Sequence, residues 1–469
     1  MSETFHNADS FEDEKFPYVS RILFVLVCAM PVISTVAFGA VDVWALGVNA
    51  LLAGVLVIFW TVDGWLKKEF RFNTNALQIP VLGLILIGLI QLLPLRSLTF
   101  PPGLLAETAS SSLSLAPFTT RLAIVQLVVY FIFFAAAQTY VSNERRLRKI
   151  VVVVIGFGAL MAFFGILQQL ADLNGIYGLR PSSQAAPFAS FINRHHFAAF
   201  MEMTMGLSLG LLFGRKATKS DKRIFLVIAV VVMGIGLVFT RSRGGIVSLL
   251  AVVGFVVIRS LRENSPKETD AAVEPVSRRR RGFLFVGGGL MLMLILFGSV
   301  ILLGGDELLM RGVGLGNTGD VSNGRFHFWQ IGWRIFLDHP IIGAGLDAFG
   351  TVFPRYDSRN GMFRVEQAHN DYLQILADAG IAGFACVIAF IYLLVKKSQP
   401  VMGKASDYFG RGAATGALAG CFGILIHSFF DFPLRTPSNA FFFLTLTVIA
   451  TNLLSPQKIS RRRRIQTAS

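Results

Sequence analysis

The chain has little charge for its length. Only 15% of its 469 residues are Asp, Glu, Lys or Arg, whereas 54% are hydrophobic and the mean hydropathy is +0.61. Soluble globular domains carry about 25% charged residues, so this composition excludes an ordinary soluble protein. The net charge of +15 does not indicate nucleic-acid binding, because the basic residues form short clusters between apolar runs, and such clusters orient membrane proteins.

Cysteine is scarce, and the patterns of metal and nucleotide sites are missing. The three cysteines, Cys28, Cys386 and Cys421, lie in apolar runs without a CxxC pair, so we expect neither a disulfide nor a metal site. The sequence has no HExxH, no clustered Cys/His set and no GxxxxGK[ST] loop, and no D-x-D pair on the face that we assign below to the periplasm. We therefore expect no cofactor and metal-independent chemistry.

Long apolar runs are what the chain does have. About 20 apolar residues are needed to cross roughly 30 Å of hydrocarbon, and runs of about that length predict twelve transmembrane helices. The first follows an acidic tail, unlike a signal peptide, so we interpret it as a span. The fold class is therefore an all-α, polytopic transmembrane helix bundle, with spans near residues 21–40, 45–62, 77–94, 122–140, 150–170, 196–213, 224–240, 245–260, 283–303, 379–395, 411–429 and 440–454.

The distribution of lysine predicts the orientation in the membrane. If the N-terminus is cytoplasmic, every lysine of the protein falls on the cytoplasmic side, as the positive-inside rule requires. Both termini are then cytoplasmic. The predicted segments are a cytoplasmic tail (1–20), spans one to nine (21–303), a long periplasmic loop (304–378), spans ten to twelve (379–455) and a basic cytoplasmic tail (456–469).

The charge composition of the long periplasmic loop predicts that the loop is folded. It lacks lysine, and its six arginines are offset by nine acidic residues. The stretch SNGRFHFWQIGWRIFLDHP predicts an amphipathic helix. It begins with capping residues, and the helix should end before Pro340, the last residue of the stretch. Its aromatic stripe suits either the membrane interface or packing against the bundle. QAHNDYLQILADAGIAGF then predicts a short helix that ends near Gly380 and returns the chain to the membrane.

Cationic residues on this face suit an anionic ligand. In TRSRGG, Arg241 and Arg243 lie at the external end of a span, where they could either contact lipid phosphates or bind a diphosphate bidentately. Arg325, at the start of the loop helix, would add a third cation or form a structural salt bridge.

Imidazole and amide groups from separate segments also reach this face. His369 is the candidate for acid–base catalysis, because imidazole can carry a proton in either direction near neutral pH, although a loop histidine is often structural. The candidate substrate-binding residues are Asn193, Arg194, His196, Asn370, His427 and Asp431.

Four motifs in this order resemble the bacterial O-antigen ligase and O-antigen polymerase superfamily. They are FINRHHFAAFMEM, TRSRGG, NGRFHFWQIGWRIFLDHPIIGAG and AHNDYLQILADAGIAGF, and the resemblance covers roughly residues 150–455. One departure is His195, where the common form NRNHFA has Asn.

The resemblance implies a membrane glycosyltransferase of the bacterial inner membrane with a periplasmic active site. It would move a glycan from undecaprenyl diphosphate to lipid A-core or to a growing glycan, in lipopolysaccharide or exopolysaccharide synthesis. Arg241 and Arg243 match the arginine motif thought to hold the diphosphate, and Arg325 matches the arginine of the loop helix. His369 matches the histidine thought to activate the acceptor hydroxyl, in an inverting displacement.

Two other functions fit part of the sequence. A protein O-oligosaccharyltransferase would use a similar site, but no appended acceptor-binding domain is visible in the sequence. A transporter of lipid-linked glycans would also have many spans, but it should carry ionisable residues within spans or paired broken helices. Here the polar groups gather in external loops, which favours the transferase.

Overall fold

The fold was analysed in a computed structural model, which describes residues 17–95, 111–171, 175–180, 186–214, 217–263, 325–358, 365–404 and 407–452. Most of these residues lie in helices. The helices are α1 (Pro17–Val36), α2 (Val43–Lys67), α3 (Gln78–Gln91), α4 (Pro117–Tyr140), α5 (Glu144–Leu170), α6 (Arg194–Phe213), α7 (Ser220–Phe239), α8 (Arg243–Glu263), α9 (Arg325–Asp338), α10 (Asp371–Lys404), α11 (Tyr408–His427) and α12 (Pro437–Thr451).

Within the described ranges, nine helices are long and apolar enough to cross a membrane, and α3 and α12 are shorter apolar helices. Eleven of the twelve predicted spans coincide with a helix. The ninth, at 283–303, lies outside the described residues, as do most of both tails and residues 304–324 and 359–364 of the long loop. The count of twelve spans therefore stays a prediction.

Helix α10 begins earlier than the predicted span at 379. It starts at Asp371, and Gly380 interrupts it with a left-handed φ of +62°. A Cβ at this position would lie 2.5 Å from the carbonyl carbon of Ile341, so a larger residue would clash with the preceding loop. The turns before Gly380 are the short helix expected from the sequence, and the longer part of α10 follows it.

The centre of the bundle is the pair α6 and α11, which are buried along most of their length. Glycines allow the two backbones to touch. A Cβ on Gly210 would lie 2.3 Å from the backbone of Gly416, and one on Gly206 would lie 2.6 Å from the backbone of Gly420. Small residues at such crossings let helices approach closely in membranes, where packing drives association.

The loop helix α9 packs on α10 through one face only. Ile331, Gly332 and Ile335 are buried, and Gly332 lies against Leu373. On the other face the side chain of Phe326 is 64% exposed and that of Trp333 is 49% exposed. The aromatic stripe is therefore divided: Phe326 and Trp333 are exposed, as the membrane-interface alternative requires, whereas Trp329 and Phe336 are half-buried.

Candidate active site

His369 and Asp431 form a hydrogen-bonded pair at the start of α10. The His369 Nδ1 lies 3.0 Å from Asp431 Oδ1, and its ring stacks on Phe328 of α9 and meets the edge of Phe432. An ionised carboxylate can only accept hydrogen bonds, so Nδ1 carries the proton and donates it. The second nitrogen, Nε2, is then left with a lone pair, which is what a general base needs.

Asp431 has the electrostatics of an ionised partner. Burial alone raises the pKa of its carboxyl, but the hydrogen bond from His369 and the charges of the neighbouring imidazoles outweigh this and hold the pKa below its usual range. Those imidazoles belong to His195, His196 and His369. The carboxylate thus bonds His369 directly and acts on His195 and His196 through its charge.

Two predicted site residues have strained backbones. His369 and Arg241 both adopt left-handed φ values of 52°. For residues with a side chain this region costs about 1 to 3 kcal/mol, and such strain is concentrated at functional sites. Six other non-glycine residues of the described ranges share this region, so the strain shows only that the surrounding structure holds both positions in place.

The arginines lie where helices begin. Arg194, Arg243 and Arg325 are the first residues of α6, α8 and α9. Cations are unfavourable at this end of the helix dipole, whereas anions are favourable. The starts of α6 and α8 are in direct contact, because His195 Nδ1 lies 2.9 Å from Ser242 Oγ. Arg241 and Arg243 flank that serine and are exposed.

The glycines of TRSRGG serve helix packing. A Cβ on Gly244 would lie 3.1 Å from His427 Nε2, and one on Gly245 would lie 2.8 Å from the Ala198 Cβ. They let the first turn of α8 fit against α6 and the end of α11.

The other candidate residues have defined structural contacts. Asn193 caps α6 by accepting from the His195 amide, and Asn370 caps α10 by accepting from the amides of Tyr372 and Leu373. These caps fix the positions of the histidines beside them.

His196 and His427 are buried rather than exposed to solvent. The His196 Nδ1 lies 2.6 Å from Thr436 Oγ1, and the His427 Nδ1 lies 2.8 Å from Glu202 Oε1. The sequence analysis did not select Glu202, although a lone carboxylate in an apolar run indicates a functional or paired residue.

Arg435 is another residue that sequence reasoning missed. Its guanidinium donates to Asp347 at 2.8 Å and to Asp378 at 2.6 Å. These bonds join the loop between α11 and α12 to the long loop and to α10. Burial disfavours its charge, but the two carboxylates more than compensate, so the pKa of Arg435 is raised. No local pattern in FPLRTPS marks this role, because both partners are distant in sequence.

A cavity of about 720 Å³ opens beside His369. The polar part of its wall includes His369, Gln367, Tyr372 and Ser428. The apolar part includes aliphatic side chains of α2, α3, α4 and α10. The cavity can therefore hold a molecule that combines hydroxyl groups with an apolar part.

Within the described residues, these features define a class: a polytopic helical membrane protein with polar groups gathered at the ends of its candidate spans. Residues 228–388 match the family model described as O-Antigen ligase. This match, over about a third of the chain, confirms the resemblance to the O-antigen ligase and O-antigen polymerase superfamily. A match to this family indicates a membrane glycosyltransferase of the O-antigen ligase type. The matched stretch contains Arg241, Arg243, Arg325 and His369. No curated protein sequence matches the chain.

Proposed function

We propose that the protein transfers a glycan from undecaprenyl diphosphate to an acceptor sugar hydroxyl, at the periplasmic face of the bacterial inner membrane. The observation that supports this most is the His369–Asp431 pair, which borders a cavity and stands next to helix starts that carry arginines. The reaction needs three parts: a base, a place for the acceptor, and cations for the leaving diphosphate.

The arginines would hold the diphosphate of the donor. Arg241, Arg243 and Arg325 are at or beside helix N-termini, and guanidinium forks bind phosphate oxygens bidentately. As the bond between the anomeric carbon and the diphosphate oxygen breaks, the electron pair goes to the diphosphate. Fixed cations stabilise this developing charge without a nucleotide.

His369 would activate the acceptor. Its Nε2 lone pair accepts the proton of the acceptor hydroxyl while that oxygen attacks the anomeric carbon from the side opposite the diphosphate, which inverts the configuration. General-base catalysis of this kind contributes about 10² to 10⁴ in rate. Asp431 keeps the proton on Nδ1 and stabilises the imidazolium that forms.

The acceptor would lie in the cavity. Its polar wall offers amide, hydroxyl and carboxylate groups that bind sugar hydroxyls, and its apolar wall could hold a lipid anchor. Both lipid A-core and a lipid-linked growing glycan combine a sugar with an apolar chain, so both fit this description.

A membrane-vesicle assay tests the proposal. Vesicles receive undecaprenyl-diphosphate glycan, with or without lipid A-core, and contain wild type, His369→Ala or Arg325→Ala. His339→Asn, at the far end of α9, is the control. Glycan on lipid A-core identifies a ligase, whereas longer lipid-linked chains from donor alone identify a polymerase. If His369→Ala and Arg325→Ala transfer as fast as wild type, the assignment fails.

One observation favours a second function, transport of a lipid-linked glycan. The Glu202–His427 pair is fully buried between α6 and α11, and ionisable pairs within membrane spans are typical of transport pathways. Movement of a labelled undecaprenyl-diphosphate glycan across proteoliposomes, without any product, would support transport. If Glu202→Gln abolishes that movement, the Glu202–His427 pair is required for transport.

A further inference from the structure

The hydrogen bond between His195 and Ser242 fixes the state of the His195 ring. Ser242 is fully buried, and its Oγ accepts a bond from the Gly245 amide at 3.1 Å. The hydroxyl hydrogen still needs an acceptor, because an unpaired buried donor is costly. Among the described residues the acceptor within reach is His195 Nδ1, at 2.9 Å. His195 Nδ1 is then unprotonated, and its Nε2 carries the hydrogen.

The Nε2 of His195 is available for a ligand. Within the part of the chain that the structure describes, it has no hydrogen-bond partner, and the side chain is only partly buried. Ser242, which holds the ring, stands between Arg241 and Arg243. Arg194 and Arg325 are also near enough to act electrostatically on His195. The Asp431 carboxylate acts on His195 in the opposite sense to these arginines. An N–H donor within electrostatic range of Arg194 and Arg325, the first residues of α6 and α9, suits an anion.

We infer that His195 is a fourth diphosphate-binding residue, which donates a hydrogen bond from Nε2 to a phosphate oxygen of the donor lipid. The inference rests on the proposed function. The two imidazoles of the site then have opposite roles, set by their partners. Asp431 leaves the Nε2 of His369 as an acceptor, whereas Ser242 makes the Nε2 of His195 a donor.

Two substitutions separate the two hydrogen bonds of His195. His195→Asn places an amide oxygen near the former Nδ1, where it can accept from Ser242, but it is too short to reach the diphosphate. His195→Gln places an amide N–H near the former Nε2, where it can reach the diphosphate without bonding Ser242. Donor binding and Ser242 anchoring are therefore lost in different variants.

The test measures binding of undecaprenyl diphosphate without glycan to the purified full chain in nanodiscs. We expect His195→Asn to bind about 10- to 100-fold more weakly than wild type, the range for a hydrogen bond to a charged group. His195→Gln should stay within about threefold of wild type, since the charged bond that sets this range is kept. His339→Asn is the matched control, about 20 Å away along α9 from Arg325, and should bind like wild type.

The outcomes separate this inference from the proposed function. If wild type binds undecaprenyl diphosphate and His195→Asn binds it equally well, His195 only anchors Ser242 and the inference is overturned, while the proposed function stands. The inference also fails if His195→Gln is as weak as His195→Asn. If wild type does not bind the lipid at all, both fail. Thermal unfolding of each variant verifies that it is folded.

Discussion

At the scale of single residues, Asp431 decides which nitrogen of His369 can act as a base. In Asp431→Asn the amide N–H can donate to Nδ1, which moves the ring proton to Nε2 and removes the lone pair that faces the acceptor. We expect kcat for glycan transfer to fall about 100-fold or more, with little change in the KM for the donor. Steady-state kinetics with the lipid-linked donor measures both. An unchanged kcat would mean that Asp431 is structural.

The ionisation of Asp431 also predicts a dependence of stability on pH. Its pKa in the folded protein is below the usual value, so the carboxylate stabilises the fold above the unfolded pKa of about 3.9. This contribution is lost only as the pH falls below that value toward the folded pKa. The difference in unfolding temperature between wild type and Asp431→Asn should therefore be constant from pH 7 to about 5 and shrink below about 4. A difference that already shrinks between pH 7 and 5 would contradict it.

Sequence reasoning found the residue types of the site but few of their pairings. His369 and Arg325 were selected because chemistry-bearing side chains stood at the external ends of apolar runs. The partner of His369 is 62 residues away, and no local spacing points to it. His195 departs from the usual Asn, and only its contact with Ser242 in the structure gives it a defined orientation.

At the scale of helices, the crossing of α6 and α11 depends on the absence of side chains. In Gly210→Ala the new Cβ would lie 2.3 Å from the Gly416 backbone, so the helices must separate. Overpacking typically costs about 1 to 3 kcal/mol, and a clash with backbone belongs at the upper end. Gly54→Ala in α2 is the matched control, because its Cβ meets nothing within 4 Å. Thermal unfolding in detergent should show a lower midpoint for Gly210→Ala alone, and equal midpoints would refute the packing argument.

The positions of helices were predictable, but their mutual packing was not. Apolar length reveals a span, because hydrocarbon thickness sets the number of residues required. It does not reveal that Gly206 and Gly210 meet α11, since a glycine in a span fits a tight crossing and an empty lipid-facing position equally well. Gly54 is an example of the second kind.

At the scale of the whole molecule, the predicted orientation can be tested with single cysteines. Ser358 lies in the long loop and Glu69 follows α2, and both side chains are exposed. Each is replaced by cysteine, in Ser358→Cys and Glu69→Cys. If the long loop is periplasmic, a membrane-impermeant maleimide should label Ser358→Cys in intact spheroplasts and Glu69→Cys only after lysis. The wild type, whose Cys28, Cys386 and Cys421 lie in helices, is the control. The reverse pattern would invert the topology.

The burial of α6 and α11 has a consequence for how the chain is made. These are the least hydrophobic of the nine candidate spans, and their partners in the bundle cover the groups that lipid would reject, including Glu202. Residues 214–407 separate the two helices, so α6 is synthesised well before α11. The translocation machinery must therefore hold α6 in a protected environment, or release it with Glu202 uncovered, until its partner arrives.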